Sequence, residues 1–369
     1  MTAKAPSLRI LVIAAARHPL REPFAGGLEA HTHQLVRVLS QRGHRVTLLA
    51  PVGADSDLEA TLLPAAELRI SEAAAADVNA PPRQWMEHHH IYLSLMLALA
   101  GGLGHEFDIV HDNSLHHLPV AMAPAVAQAV SGRGPSIISS LHTPPLPWLE
   151  SAVDMCGSSV RFTAVSESCR RSWGGIVAAD VVRNGVDTAS WSLGSGGPEA
   201  VWSGRMTPEK APHEAIAAAR LAGIRLRLAG PLSDPRYFDD CVAPLLGPGI
   251  EYVGHLSQRD LADLVGASSV ALATPHWDEP YGLVAAEAMS CGTPVVAYDR
   301  GALREIVPAT GGMVVPPGDV AAMAGAIATA QLLPRSQVRA TALAHCSIDT
   351  MAAGYEALYL EEARRESAA

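Results

Sequence analysis

The stretch that decides the fold runs from residue 274 to residue 294 and reads TPHWDEPYGLVAAEAMSCGTP. It follows the apolar run 270–273, which has the length and composition of a buried strand. Gly282 then opens a short helix that Gly292 ends. A strand, a polar loop and a helix in this order form one unit of a parallel α/β sheet, whose ligands bind at the carboxyl ends of the strands.

Gly282 and two acids within this stretch have the chemistry of a ligand site. A glycine lets a ligand approach the backbone closely, and the free amides and the dipole at a helix start suit a diphosphate. Glu279 lies just before the helix and Glu287 lies about two turns further on, so both can face one bound molecule. Their carboxylates accept hydrogen bonds from sugar or ribose hydroxyls. Either acid alone is an ordinary capping or surface residue, but the whole string favours a site.

Strand and helix signals alternate in the same way along the rest of the chain. Residues 192–198, which read SLGSGGP, interrupt the pattern and indicate a loose linker. The sequence therefore predicts an α/β protein with two Rossmann-like, doubly wound parallel-sheet domains, residues 1–188 and 189–349, that face a central cleft. Strands are predicted at residues 8–13, 46–49, 108–110, 136–138 and 162–165 and, after the linker, at 200–202, 226–229, 250–253, 270–273 and 294–297.

The composition excludes several classes of protein. Of the 369 residues, 49% are hydrophobic and 17% are charged, and the formal net charge is −10, so neither disorder nor nucleic-acid binding is expected. The five cysteines are widely spaced without a C-x-x-C pair, which favours reduced thiols in the cytoplasm over a disulfide framework. The N-terminus lacks a secretory pattern, and the apolar segment 91–103 is too short for a transmembrane span and indicates a core helix. The oligomeric state is left open, with a homodimer as one option.

A second candidate stretch, residues 202–210, also leaves a strand and reads WSGRMTPEK. Arg205 can hold phosphate oxygens as a fork and Lys210 can do so as a point charge. Lys210 is one of only two lysines among the 27 basic residues, which favours a specific task over a solvated surface position. Two cations and a helix start can neutralise a departing diphosphate without a metal ion.

Two weaker signals lie in the first domain. Gly26 and Gly27 follow the first strand, and a glycine pair lets backbone amides approach phosphate or sugar. His142 follows the strand that ends at Ser139, where it can contact a sugar hydroxyl, assist proton transfer or have only a structural role.

The sequence shows no recognisable metal site, and no metal or other cofactor is expected. The histidines at 88–90 and at 116–117 have no third ligand at a zinc spacing. The segment 55–57 has the pattern of a metal-binding acidic pair, but its polar surroundings favour a solvated turn. Neither G-x-G-x-x-G nor a P-loop sequence occurs.

Together these motifs resemble those of the retaining glycosyltransferases of family 4. Glu279 to Gly282 with Glu287 resembles the E-x7-E signature of that family, and Arg205 with Lys210 resembles its phosphate-binding pair. The resemblance runs from about residue 8 to residue 318 with the motifs in the right order, and it specifies the family better than the substrate. Further similar segments are Gly26-Gly27, His142-Thr143, Val165-Ser166-Glu167-Ser168 and Arg183-Asn184-Gly185-Val186-Asp187.

The resemblance implies a GT-B fold, with the acceptor on the N-terminal domain and a nucleotide diphosphate sugar, UDP- or GDP-linked, on the C-terminal domain. It implies that Glu279 contacts the transferred sugar, that Glu287 contacts the ribose, and that Arg205 and Lys210 stabilise the leaving diphosphate. His142 is the fourth residue of the implied catalytic set. The last helix, within residues 350–369, is expected to return to the N-terminal domain. The implied donor-binding set is Gly26, Gly27, Gly204, Tyr281, Gly282, Leu283 and Glu287.

Two positions depart from the family pattern, and three other functions stay open. Ala211 stands where the family usually has Gly, and Tyr281 stands where Phe is commoner. A sugar-nucleotide epimerase on the same fold would bind the same donor, although the E-x7-E string favours transfer. The missing G-x-G-x-x-G counts against an NAD-dependent dehydrogenase, and the intact charged residues give no support to a binding protein without catalysis. The acceptor is expected to be a small molecule, a glycan or a secondary metabolite.

Overall fold

The computed structural model describes residues 6–55, 58–129 and 134–368. These residues form two parallel sheets with helices on their faces, which is the architecture that the alternation of strands and helices predicts.

The first sheet has seven strands in the described part of the chain, all of them parallel. In space they follow the order β3-β2-β1-β4-β5-β6-β7, so the chain builds outward from β1 and then restarts at β4 on the other side. The carboxyl ends of β1 and β4 therefore form the switch point where such sheets bind ligands. The strands are β1 (Arg9–Ile13), β2 (Arg45–Leu49), β3 (Thr61–Leu63), β4 (Ile109–Asp112), β5 (Ser136–Leu141), β6 (Val160–Ala164) and β7 (Ala179–Val181).

The second sheet repeats this plan with six parallel strands among the described residues. Their order is β10-β9-β8-β11-β12-β13, and the switch point lies between β8 and β11. The loops that leave β8 and β11 carry the two stretches that the sequence singles out. The strands are β8 (Ala200–Ser203), β9 (Leu226–Ala229), β10 (Ile250–Tyr252), β11 (Val270–Ala273), β12 (Val295–Tyr298) and β13 (Gly312–Val315).

Helices cover both faces of each sheet, so the central strands are buried and carry long apolar runs, such as residues 10–13 of β1 and all of β11. The apolar segment 91–103 contributes to a helix that buries Tyr92, Leu95, Met96 and Leu99 in the core. The α-helices are α1 (Gly27–Gln41), α2 (Glu72–Ala75), α3 (Arg83–Ala100), α4 (His117–Ala121), α5 (Ala123–Ala129), α6 (Pro147–Cys156), α7 (Glu167–Trp173), α8 (Pro212–Ala222), α9 (Pro235–Tyr237), α10 (Gln258–Gly266), α11 (Leu283–Ser290), α12 (Leu303–Ile306), α13 (Val320–Ala330), α14 (Arg335–His345) and α15 (Ile348–Ala368).

Helix α15 packs against the first sheet, although it follows the second one in sequence. Tyr355 and Tyr359 are fully buried, and the Tyr359 hydroxyl lies 2.5 Å from Nδ1 of His111 on β4. Where the chain crosses back, Gly185 packs so tightly that a Cβ there would lie 2.5 Å from Cα of Ile348. The two crossing segments between the domains are thus paired side by side.

The segment 192–198 is not the loose linker that its sequence predicts. The amide of Gly194 donates to the Cys291 carbonyl at 3.0 Å, and the amide of Gly196 donates to the Gly266 carbonyl at 2.9 Å. A Cβ at Gly194 would clash with the Gly266 carbonyl oxygen. The glycines therefore permit close backbone packing here rather than a flexible connection.

Candidate active site

Lys210 and Glu279 meet between the loops that leave β8 and β11. Nζ of Lys210 lies 2.5 Å from Oε2 of Glu279, and the indole nitrogen of Trp277 donates to the same oxygen at 3.0 Å. The lysine nitrogen also lies 5.0 Å from the centre of the Trp277 ring, which adds a cation–π contact. Both charged side chains keep some contact with solvent, at 20% and 15% exposure. A ligand entering the cleft can therefore reach both of them.

The backbone after Lys210 shows why glycine is the usual residue at position 211 in the family pattern. Ala211 adopts a left-handed conformation with φ 46° and is fully buried. Glycine adopts this conformation without strain, whereas a residue with a Cβ does so at a cost of about 1–2 kcal/mol. The turn directs the chain from Lys210 into α8, and Thr274 holds it by donating to the Lys210 carbonyl at 3.0 Å.

Arg205 lies in the same loop but is not joined to Lys210. Its guanidinium pairs with Glu209 at 3.2 Å, and its side chain is 37% exposed. Gly204, just before it, lines a small cavity whose other walls include both partners of the lysine–glutamate pair. The residues that line it include Gly204, Lys210, Thr274, Glu279, Gly282 and Val284.

The start of α11 opens into this cavity without a side-chain cap. Gly282 is the N-cap at φ 95°, and no described group accepts a hydrogen bond from the amides of Leu283 and Val284. Free amides at a helix start bind anions. The preceding loop is held by Gly301, where a Cβ would clash with the Glu279 carbonyl oxygen. The backbone of Glu279 thus packs directly against Gly301, which limits its movement.

Glu287 lies in α11, partly buried, and does not line the cavity. Within the described residues its carboxylate has no hydrogen-bond partner. Burial raises its pKa to about 7, because a charged carboxylate is poorly solvated there. The carboxylate is therefore free to accept a hydrogen bond from a hydroxyl of a ligand that reaches the helix.

The glycine pair of the first domain meets the same helix from the other side. Gly26 is the N-cap of α1, and a Cβ at Gly27 would lie 3.1 Å from Cδ1 of Leu283. Tyr281, which belongs to the expected donor-binding set, does not line the cavity either. It is 3% exposed, its hydroxyl has no nitrogen or oxygen partner among the described residues, and it lies beside the Cys346 thiol, away from the cavity.

His142 lies at the end of β5 in a buried polar cluster that sequence reasoning missed. Its Nε2 lies 2.6 Å from Oδ1 of Asn113, and its ring packs edge-on against His31 at 4.7 Å. Burial, with His31 and His111 adding to it, holds the pKa of His142 well below its usual range, so the ring is neutral. Both ring nitrogens of His31 are buried and lack a partner in the described part of the chain. The position of Asn113 just after β4, at the switch point, is the signal that would have found it.

Three of the histidines at 88–90 and 116–117 meet in the structure. His89, His116 and His117 converge, with one nitrogen of each ring within 4.8 Å of the other two. No zinc spacing along the chain joins them, because His89 lies on α3, apart from His116 and His117 at the start of α4. Burial, followed by the neighbouring histidines, lowers the pKa of His116 to about 3. Of the segment 55–57, Asp55 pairs with His33 at 3.2 Å, and residues 56 and 57 lie outside the described residues.

Two doubly wound sheets with a lysine–glutamate pair and an uncapped helix start between them define a glycosyltransferase of the GT-B type. Residues 25–190 match the family model described as Glycosyltransferase Family 4, and residues 187–342 match the one described as Glycosyl transferases group 1. The chain belongs to family 4 of the glycosyltransferases. The resemblance stated from the motifs, the fold class and the assignment as a transferase are thereby confirmed.

Individual relatives agree over most of their length. A glycogen synthase of Mycobacterium tuberculosis is 28% identical over 370 residues, which cover 87% of this chain and 85% of the relative. The solved structure of AviGT4, a glycosyltransferase involved in avilamycin A biosynthesis, is 25% identical with a TM-score of 0.70, covering 97% of this chain and 98% of that one. The Anabaena protein Alr3699/HepE, solved in complex with UDP-glucose, has a TM-score of 0.72 at 18% identity and covers 96% and 99% of the two chains.

The sequence also predicts reduced thiols and a core helix, rather than a transmembrane span, at residues 91–103. Among the described helices, none combines the length and the apolar character that crossing a bilayer requires. All five cysteines carry free thiols, four of them buried.

Proposed function

We propose that this protein transfers a sugar from a nucleotide diphosphate donor, UDP- or GDP-linked, to an acceptor hydroxyl with retention of the anomeric configuration. The observation that carries the proposal is the 2.5 Å contact between Lys210 and Glu279 beside the uncapped start of α11. A cation, an anion and free amides in one cavity match the three parts of such a donor near its reacting bond. The UDP-glucose complex of the Anabaena protein supports a nucleotide sugar as the ligand of this cleft.

The leaving diphosphate gains its stabilisation from the protein alone in this proposal. Lys210 supplies a point charge, Arg205 exchanges Glu209 for phosphate oxygens, and the amides at the start of α11 donate hydrogen bonds. Stabilisation of developing charge by prearranged groups supplies most of the rate enhancement of many enzymes. No metal ion is needed at the diphosphate.

Glu279 and Glu287 divide the rest of the donor between them. When Lys210 turns to the diphosphate, Glu279 is released to accept hydrogen bonds from the hydroxyls of the transferred sugar. Glu287 accepts the ribose hydroxyls, because its carboxylate has no partner within the described residues. Gly27, next to Leu283, brings the acceptor domain against the donor, and His142 faces the acceptor side as a neutral imidazole.

The acceptor is a small molecule, a glycan or a secondary metabolite, and the reaction takes place in the cytoplasm. The negative net charge of −10 disfavours a broad basic surface for anionic lipid. The similarity to a transferase of avilamycin A biosynthesis supports a secondary metabolite among these choices.

Donor hydrolysis without an acceptor tests the proposal, since transfer to water uses the same leaving group. Lys210→Ala and Glu279→Ala are each expected to slow it by about 100- to 1,000-fold, as the loss of one group that stabilises transition-state charge does. Asp278→Ala is the matched control, because Asp278 is adjacent to Glu279 but has a 68% exposed side chain. NMR of the sugar first released reports its anomeric configuration.

Full hydrolysis in both cavity variants would overturn the site. An inverted sugar would overturn retention but leave the site standing. An epimerised nucleotide sugar, rather than free sugar, would replace transfer by epimerisation.

A further inference from the structure

Three imidazoles converge at the acceptor end of the first domain. His89 lies in α3, His116 is the N-cap of α4, and His117 is the first residue of that helix. One nitrogen of each ring lies within 4.8 Å of the other two. The rings of His116 and His117 are stacked at 4.3 Å, with the His89 ring 5.9 and 5.7 Å from them. Among the described residues, no other group of histidines, cysteines and acids converges in this way.

The ring nitrogens in this cluster are poorly satisfied by the protein. Nδ1 of His89 is buried and has no partner within the described residues, and neither nitrogen of His117 forms a hydrogen bond there. Nδ1 of His116 accepts a hydrogen bond from the Leu118 amide at 3.3 Å, which leaves its Nε2 available. A buried nitrogen atom such as Nδ1 of His89 normally has a partner. The convergence of three rings with available nitrogen atoms therefore suits a ligand that accepts several lone pairs at once.

A divalent transition metal has the size and the preference for this arrangement. With metal–nitrogen distances of about 2.0–2.1 Å, tetrahedral ligands stand about 3.3 Å apart, and rotation of three side chains closes the remaining gap. Binding through Nε2 of His116 moves its proton to Nδ1 and releases the Leu118 amide, which is one weak hydrogen bond. Two tryptophan rings pack against the cluster. The centre of the Trp85 ring lies 5.0 Å from that of His89, and the centre of the Trp148 ring lies 5.4 Å from that of His117.

We propose that His89, His116 and His117 bind one divalent transition-metal ion, Zn²⁺ in the first place, beside the acceptor half of the cleft. Imidazole ligands select Zn²⁺ and its neighbours over Mg²⁺ and Ca²⁺, which require oxygen ligands. Three protein ligands leave a fourth position open for water or for an oxygen of a bound molecule. The site is separate from the diphosphate cavity, because its residues leave other strands, and it does not depend on the proposed donor chemistry.

The position of the cluster connects it with the acceptor side. His116 follows Asn113 by three residues in the loop after β4, and Asn113 holds His142 at 2.6 Å. Trp85 and Trp148 flank the cluster with exposures of 43% and 66%, so a molecule can reach the open position. A metal ion there would fix the loop that carries Asn113 and offer a coordination site at the rim of the cleft.

Metal titration of the full chain, with any purification tag removed, tests this directly. After dialysis against a chelator, Co²⁺ is added and the visible ligand-field absorption of four-coordinate Co²⁺ is followed, and Zn²⁺ is then used to displace it. One ion per chain is expected. His89→Gln, His116→Gln and His117→Gln should each weaken binding by about a hundredfold or more, since even the loss of a group that only orients a metal ligand weakens it about 10- to 100-fold.

His90→Gln is the matched control, because His90 neighbours His89 on α3 but is not part of the cluster. It should bind the metal as the wild type does. Thermal unfolding of the wild type with and without Zn²⁺ provides a second readout that needs no variant, and a stabilising shift is expected. Failure of the wild type to bind one ion at micromolar metal, or equal loss in His90→Gln, would overturn the site and leave an aromatic surface for the acceptor.

Discussion

At the scale of single residues, the buried hydroxyl of Tyr281 lowers the stability of the folded protein close to the candidate active site. The ring is buried, and its hydroxyl has only the weakly accepting Cys346 thiol nearby. A buried hydroxyl without a proper partner costs about 1–3 kcal/mol relative to a satisfied one. Tyr281→Phe is therefore expected to raise the free energy of unfolding by about 1 kcal/mol, measured by chemical denaturation.

Donor hydrolysis should be unchanged in Tyr281→Phe, because the hydroxyl points away from the cavity. A less stable variant would mean that the thiol contact is a net favourable hydrogen bond. Cys346→Ala separates the two cases, since it removes the thiol and leaves the hydroxyl.

The pKa of Glu287 makes a prediction about pH. Its folded-state pKa is raised to about 7 from the ordinary 4.5, so the folded protein holds the proton more tightly than the unfolded chain. Stability from this group is complete below the unfolded value and is lost as the pH rises through the folded value. Glu287→Gln has no such loss. It should match the wild type in stability near pH 4.5 and exceed it by about 2 kcal/mol above pH 7, a figure that allows for partial exposure.

The same substitution should weaken donor binding by about 10- to 100-fold at pH 8, the equivalent of about 1.5–3 kcal/mol for hydrogen bonds to a charged group. Thermal unfolding across pH and a nucleotide titration measure the two effects. A stability difference that does not change with pH would refute the raised pKa. Unchanged donor binding would refute only the ribose contact.

At the scale of elements, one carboxylate in the second domain holds a helix of the first. Glu305 of α12 accepts hydrogen bonds from the first two amides of α7, those of Glu167 and Ser168, at 3.2 and 3.3 Å. It also pairs with Arg183 at 3.0 Å. An acid at a helix start is stabilised by the free amides and the dipole. The contact therefore stabilises α7 and joins the two domains.

Glu305→Ala is expected to lower the free energy of unfolding by about 1–3 kcal/mol, because the hydrogen bonds go to a charged group. Glu251→Ala is the control, since the Glu251 side chain is 61% exposed and its ion pair with Arg227 is long, at 3.7 Å. Exposed pairs contribute about 0–1 kcal/mol. Equal denaturation midpoints for the two variants would show that the contacts of Glu305 with α7 and Arg183 do not stabilise the protein.

Elements differ in how far sequence alone predicts them. The alternation of apolar runs with amphipathic segments predicts the central strands of both sheets and the helix after Gly282, because each of those strands contains a buried apolar run. The edge strands β3, β7 and β13 were missed, since three or four partly exposed residues give little periodicity. The linker was misjudged, because glycine permits close packing as readily as flexibility and the sequence does not distinguish them.

The sequence predicts several residues of the site one by one, but not the contacts between residues that lie far apart along the chain. Lys210 stood out by its rarity and Glu279 by its motif, but their contact across 69 positions required the fold. His89 and His116 lie on separate elements, so no spacing rule could join them. Asn113 and His31 carry no motif, and only their burial and contacts mark them.

At the scale of the whole molecule, two kinds of ligand are expected to act independently. The proposed nucleotide site lies between β8, β11 and α11, whereas the proposed metal site lies between α3 and α4 of the other domain. Distant sites with no shared partners have additive effects on stability. UDP or GDP at a hundred times its dissociation constant should stabilise the protein by about 2.7 kcal/mol, and EDTA should not reduce this effect.

Four thermal-unfolding curves of each protein test this independence: without ligand, with nucleotide in EDTA, with Zn²⁺ alone, and with nucleotide and Zn²⁺ together. Lys210→Ala should lose the nucleotide shift and keep the Zn²⁺ shift, and His117→Gln should do the reverse. A nucleotide shift that disappears in EDTA would place a metal ion at the diphosphate and refute stabilisation by the protein alone. No shift with any nucleotide would refute the donor class, while a surviving Zn²⁺ shift would leave the histidine site intact.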